Sequence, residues 1–324
     1  MQPGVLNRRL VLAGAAGLAA AGGLARPAAA KAPMGMPQAP YFYRFKLGAM
    51  EGTVLSDGPI PLGDPAAGFL GLSREELNRQ LTENFLPTDK VVLEQNTLVL
   101  NTGNHLVLFD NGMGSVTAFG NTTGKLLTSL AAAGIDRKDI DAIVMTHAHI
   151  DHCGGIMADD GSRNFPNAQL YIAQADYDYW TDAAKVGPNL KLFLDQATKN
   201  LVPNRDRIHF VRDGQEFIPG IQAIATPGHT VGHTMFMLTS AGQSMAFIGD
   251  LTHHQVLLLE KPLTEFAYDT DPKQSAQTRV RMLNMLAANR IPLLAYHFPW
   301  PGIGHVAKSG EGFRYYPAPM VMAL

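Results

Sequence analysis

A single cysteine, Cys153, occurs among the 324 residues, so no disulfide can form within the chain and packing must hold the fold. Charge is scarce as well: Asp, Glu, Lys and Arg make up 17% of the chain and leave a net charge of -2. That balance argues against a nucleic-acid groove, which needs clustered Lys and Arg. No apolar stretch beyond residue 27 is long enough to span a bilayer. Short tandem repeats are absent too. What is present is a chain that is 46% hydrophobic and long enough to bury a large core.

The first thirty residues read as an address rather than as part of the fold. Asn7-Arg8-Arg9-Leu10-Val11-Leu12 opens a run of Ala, Gly, Leu and Val to Ala25, and Ala28-Ala29-Ala30 offers a small-residue cleavage site. The arginine pair resembles a twin-arginine export signal, which directs a protein to the periplasm or out of the cell; a general secretory signal and an uncleaved anchor are the alternatives. Removing residues 1–30 takes away three arginines and no acid, moving the net charge from -2 to -5. Residues 31–42, rich in Pro, Ala and Met, read as a flexible lead-in, which leaves 43–324 as one domain.

The chain is organised around Thr146-His147-Ala148-His149-Ile150-Asp151-His152. The apolar run from Ile140 to Met145 reads as a buried strand that delivers these polar groups at its carboxyl end. Imidazole and carboxylate hold zinc-like ions at about 2.0 to 2.2 Å, and a cation needs several of them converging. In an extended loop, residues two apart point the same way, so His147 and His149 can grip one ion. Asp151 and His152 then face the next position, which suits two ions about 3.5 to 4 Å apart. With eleven histidines in the whole chain, three within six positions make chance a poor account. Cys153, beside Gly154 and Gly155, fits a small buried filler better than a ligand.

Elsewhere the pattern alternates strands and helices. Strands are expected over 43–55, 91–100, 105–109, 168–173, 208–211, 221–226, 234–238 and 244–248, with another ending at His297. Helices are expected over 73–84, where Ser73 and Glu76 form a capping box, and over 122–133, 190–199 and 275–289. Residues 59–72 look too irregular for any element. Pro227-Gly228-His229-Thr230 follows one strand, with His233 a rival donor four residues on. Gly249-Asp250 follows another, and two carboxylate oxygens let Asp250 bridge two ions. His297 stands ready to close the second position with Asp151 and His152.

The His-x-His-x-Asp-His run after an apolar strand resembles the signature of the metallo-β-lactamase superfamily. Tyr43-Arg44-Phe45-Lys46-Leu47-Gly48, Leu55-Ser56-Asp57-Gly58, the segment His297 to His305 and Gly310-Glu311-Gly312-Phe313-Arg314-Tyr315 look most like methyl parathion hydrolase and its lactonase-like relatives. The resemblance implies an α/β fold, a four-layered αβ/βα sandwich. It implies two divalent metal ions, zinc above all, held by His147, His149, His229, Asp151, His152, Asp250 and His297. It favours His233 as a residue that hydrogen-bonds behind the ligands, and gives Asp110 the same part, although Asp110 reads equally as a turn former. It puts Phe119, Trp180 and Phe193 at an aromatic rim, where a small apolar substrate would sit; Leu257, Leu258 and Leu259 would add apolar wall. Relatives of this kind are often homodimers. His253 and His254 depart from the apolar residues expected of parathion-hydrolysing relatives and read as substrate-binding or proton-relaying groups, or as residues with no role.

The chemistry implied is hydrolysis of a lactone, aryl-ester or phosphotriester bond. Two cations sharing a water lower its pKa from 15.7 towards about 7, supplying hydroxide without a Ser or Cys nucleophile. Asp250 bridges, and Asp151 or a pocket histidine can protonate the leaving group. The alternatives are a β-lactamase, against which a bridging carboxylate counts, a thioester hydrolase, an iron dioxygenase, and a metal-binding protein without catalysis.

Overall fold

A computed structural model describes residues 41–321. The expected export signal and residues 31–40 of the lead-in lie outside the described residues. The end of that lead-in is not irregular, because Phe42 already opens the first strand.

Two seven-stranded sheets form the centre. The first contains, in spatial order, Phe42–Leu47, Met50–Ser56, Asn96–Asn101, Leu106–Phe109, Ala142–Val144, Gln169–Ala173 and Ile208–Val211. The second contains Glu216–Ile218, Ile221–Ala225, Thr234–Ser240, Gln243–Phe247, Leu293–Leu294, Ile303–Ser309 and Gly312–Pro317. Successive side chains of a strand point to opposite faces, and here both faces are buried. Leu98 and Leu100 enter the space between the sheets with Val107, Phe109, Phe236 and Phe247. Val99 and Leu108 point the other way, onto Leu126, Leu130, Ala197 and Leu201 of two helices, Leu126–Ala132 and Lys191–Leu201. Across the second sheet, Met235, Ala246 and Leu293 meet Met282, Leu283 and Leu286 of the helix Pro272–Ala288. The layers are therefore helix, sheet, sheet, helix. Each of the Val, Leu, Phe and Met side chains among these contributes about 1.5 to 3 kcal/mol on burial.

Strand direction sets where the functional groups emerge. Leu106–Phe109, Ala142–Val144 and Gln169–Ala173 run parallel, as do Gln243–Phe247 and Leu293–Leu294 in the other sheet. Their carboxyl ends open into the loops that carry His147, Asp250 and His297.

Several expected elements change on folding. The strand over 43–55 is a hairpin that turns at Gly48, where φ is +59°. The segment 59–72 is not featureless: Ile60–Gly63 pairs with Val91–Leu93, and Phe69–Leu70 pairs with Glu265–Phe266. Those partners are distant in sequence, so no local pattern announces them. The strand over 91–100 breaks at Glu94, which separates Val91–Leu93 from Asn96–Asn101. The helix over 122–133 begins only at Leu126. The strand expected to end at His297 is Leu293–Leu294, which stops short of it, and two more strands follow. No helix among the described residues is long and apolar enough to cross a membrane.

Candidate metal centre

The chain bends at Thr146, is extended at His149, where φ is -69° and ψ 157°, and then closes into one helical turn, Ile150–Cys153. The extended-loop expectation thus applies only as far as His149, and the helical turn aims Asp151 and His152 at a second position. Asp250 arrives from the other sheet after Gly249, whose φ is +48°. A Cβ at Gly249 would fall 2.7 Å from Thr146 Cγ2, so both the backbone conformation and the close approach call for glycine.

The structure brings the seven expected side chains together, all of them buried. His147 and His229 place their Nε2 atoms 3.1 Å apart, with His149 completing the group. His152, Asp151 and His297 form a second group. Asp250 lies between the two. Its Oδ2 is 3.1 Å from His229 Nε2 and 3.7 Å from His147 Nε2, while its Oδ1 is 3.3 Å from both His152 Nε2 and His297 Nε2. Asp151 Oδ2 sits 3.4 Å from the same two nitrogens of His152 and His297.

The partners on the far side of the rings decide what these distances mean. His152 Nδ1 donates to Asp110 Oδ2 at 2.8 Å, His229 Nδ1 to Asp269 Oδ1 at 2.8 Å, and His297 Nδ1 to the carbonyl oxygen of Glu94 at 2.7 Å. A neutral imidazole carries one N–H, so in each ring Nε2 is left with its lone pair. Three lone pairs then face carboxylate oxygens in a buried space, which is repulsive unless positive charge lies between. His152 Nε2 and Asp250 Oδ1 have no hydrogen-bond partner among the described residues. The donor set, imidazole and carboxylate on two adjoining positions, fits two divalent ions.

Where no cation is present, a proton answers the same excess of negative charge. Burial opposes a proton on His229, but Asp250 and Asp269 outweigh it and lift the group to about 9. For His152, burial is again outweighed, by Asp250, Asp151 and Asp110, and the ring is held well above an ordinary imidazole. Cation and proton compete for these nitrogens.

The remaining predicted residues divide. Asp110 supports His152 and also accepts from the Thr146 N–H at 2.8 Å. His233 accepts the Asp250 N–H on its Nε2 at 3.0 Å and is not in the cluster. Phe119, Phe193 and His253 line the cavity over the centre, together with Ile60, Leu62, Leu93, Met113, Ile150, Phe266 and Tyr268. Trp180 is not on the rim: it is wholly buried behind His149, its ring edge-on at 4.8 Å. His254 is not on the cavity wall either. Its Nδ1 accepts from the Val256 and Leu257 N–H groups at 3.1 and 3.2 Å, which caps the short helix Leu257–Glu260. Burial pulls His254 down to about 4, so it stays the neutral acceptor that a cap needs. Leu257, Leu258 and Leu259 are fully buried core rather than wall.

Asp269, the Glu94 carbonyl, Tyr296 and Asp176 escaped the sequence reading. Asp269 stands before Asp271-Pro272 and looks like one more turn residue; nothing local marks it as the partner of His229. The break at Glu94 is what frees its carbonyl for His297.

Residues 91–295 match the profile of the metallo-beta-lactamase superfamily. In sequence the chain is 23% identical to the N-acyl homoserine lactonase of Bacillus cereus over 268 residues, which spans 78% of this chain and 95% of that one. In structure it is similar to AidC, a dizinc quorum-quenching lactonase solved with a product, with a TM-score of 0.82 and 29% identity over 87% of this chain and 99% of AidC. It is also similar to the hydrolase AbOPH of the beta lactamase superfamily, with a TM-score of 0.81 and 30% identity over 87% and 99% of the two chains. The chain belongs to the metallo-beta-lactamase superfamily.

Proposed function

We propose that this protein is a binuclear metal-dependent hydrolase that opens lactone or ester bonds in a substrate with an apolar side chain. The observation that carries the reading is the set of three imidazoles, their tautomers fixed from behind, whose Nε2 lone pairs face Asp250 and Asp151 beneath an apolar cavity. Two divalent ions, zinc in AidC, would supply a water of lowered pKa near neutrality and polarise the bond to be cleaved. His147, His149, His229 and Asp250 Oδ2 would hold one ion. Asp151, His152, His297 and Asp250 Oδ1 would hold the other.

The chain's own residues supply the rest. Ile60, Leu62, Phe119, Phe193 and Phe266 exclude water from the cavity and offer surface to an acyl or aryl group. His253 stacks on Phe266 with ring centroids 3.9 Å apart and donates from Nε2 to Asp250 Oδ2 at 3.0 Å, steadying that carboxylate. Burial brings His253 to about 4, so near neutral pH it is an uncharged donor. Asp151 borders the same cavity and is placed to pass a proton to the alkoxide released when the lactone or ester C–O bond breaks. The similarity to N-acyl homoserine lactonases favours a lactone with an acyl amide tail as the first substrate to try.

The test is a panel on purified, zinc-loaded protein: N-acyl homoserine lactones of increasing chain length, p-nitrophenyl esters and a p-nitrophenyl phosphotriester, each with and without chelator. Chelator-sensitive turnover of lactone or ester, improving with acyl length, is expected. No chelator-sensitive turnover of any of the three classes would leave a metal-binding protein without this catalysis. We further propose export through the signal read at 1–30 and assembly as a homodimer, to be checked by the mass of the mature chain and by sedimentation.

A further inference from the structure

One carboxylate serves two ligand loops. Asp176 is fully buried in the first turn of the helix Gln174–Trp180. Its Oδ2 accepts from the Ala148 N–H at 2.7 Å and its Oδ1 from the Gly232 N–H at 2.8 Å. Ala148 stands between His147 and His149, and Gly232 follows His229 by three residues. The two loops leave different sheets: the first follows Ala142–Val144 and the second joins Ile221–Ala225 to Thr234–Ser240. A Cβ at Gly232 would fall 2.6 Å from the Asp176 backbone nitrogen and 2.9 Å from its Cβ, so the second loop comes this close only because residue 232 is glycine. Four residues on, Trp180 meets the His149 ring. Residues four apart share a helix face. A single face therefore contacts the backbone between two ligands, the ring of one of them and the loop of a third.

The other half of the centre is braced by different groups. Asp110 holds His152, the Glu94 carbonyl holds His297, and the Tyr296 hydroxyl donates to the Asp151 carbonyl oxygen at 2.6 Å. None of these belongs to the helix Gln174–Trp180.

We propose that Asp176 is the positioning residue of the His147, His149 and His229 half-site, setting the separation of the two loops, so that its loss loosens one ion and spares the other. The inference rests on the two-ion reading above. Asp176 does not touch substrate; it acts through the backbone of the loops it joins. Asp176→Asn keeps one carbonyl oxygen but turns an NH2 group towards the second N–H, so one loop is released. Gly232→Ala breaks the same contact from the opposite side.

The experiment counts metal ions by mass spectrometry in wild type, Asp176→Asn, Gly232→Ala and His229→Ala, and records cobalt-substituted absorption spectra. Circular dichroism of the metal-free proteins reports folding. Wild type is expected to hold two ions. Asp176→Asn and Gly232→Ala should lose one of them to chelator about 10- to 100-fold more readily, the range for groups that support ligands from behind. Their residual cobalt spectra should match that of His229→Ala. A purely structural role would weaken both ions together or change only the melting of the metal-free chain, and either result overturns the proposal. If Asp176→Asn fails to fold, Gly232→Ala decides: a folded Gly232→Ala with wild-type retention of both ions overturns it. A wild-type chain that cannot hold a second ion overturns the two-ion reading itself, and this inference with it.

Discussion

The phenolic hydroxyl of Tyr296 donates to the carbonyl oxygen of Asp151 at 2.6 Å, joining the two sheets at the second half of the centre. The same ring lies against His152, with centroids 4.1 Å apart, and the next residue is His297. Burial, reinforced by Asp151, Asp57 and Asp110, pushes the phenol well above its ordinary value, so the hydroxyl remains a donor across the working range. Tyr296→Phe leaves that buried carbonyl without its donor. Denaturant unfolding of the metal-free protein should show a loss of about 1 to 3 kcal/mol.

Two carboxylates stand behind histidines, Asp110 behind His152 and Asp269 behind His229. They fix which ring nitrogen carries the proton. Asp110→Asn and Asp269→Asn should each weaken zinc binding about 10- to 100-fold, read by competition with a fluorescent chelator. Unchanged affinity in both would mean that the rings hold their orientation without them.

Asp57 gives a pH dependence with a definite sign. Its carboxylate is fully buried and accepts from the N–H groups of Met113 at 2.8 Å, Gly124 at 3.1 Å and Leu126 at 2.8 Å. Burial outweighs those bonds and raises it to about 6. A folded value above the unfolded one means that the folded chain binds the extra proton between about pH 4 and 6. The contribution is complete below the unfolded value and is lost as pH rises through the folded one. From pH 5 to 7, wild type should lose about 1 kcal/mol on this account. Asp57→Asn should remove that increment while lowering stability throughout, because one oxygen is gone. Equal pH dependence in the two proteins would contradict the assignment.

How far the sequence reveals this site depends on how local each group's neighbours are. The loop from His147 to His152 is legible because its donors are adjacent in the chain, and Asp250, His229 and His297 are legible because each follows an apolar strand. Asp57, Asp176 and Asp269 look like turn or helix-start acids, and only folding shows which N–H or ring each one meets. The Glu94 carbonyl is a backbone group with no side-chain signature at all. Trp180 misleads for the converse reason: a large aromatic near a site suits a rim as well as a brace, and the helix Gln174–Trp180 turns it inward. His254 shares its neighbour's chemistry but spends it on a helix cap. In the fold, the strands buried on both faces are read from their apolar runs, whereas the Ile60–Gly63 and Phe69–Leu70 pairings depend on partners far along the chain.

Cys153 tests the burial of the loop. Its Sγ donates to the Ala148 carbonyl oxygen at 3.4 Å, and burial pushes the thiol far above its ordinary value. A thiolate is the reactive form. A disulfide-exchange reagent should therefore label the native protein only after denaturant is added. Rapid labelling of the folded, metal-loaded chain would show that the loop opens.

Stepwise addition of zinc to chelated protein, with hydrolysis of the best substrate of the panel followed at each step, bears most directly on the two-ion centre. The rate should be negligible at the start and reach its plateau at two equivalents per chain. A full rate in the chelated protein, or a plateau already at one equivalent, would contradict it.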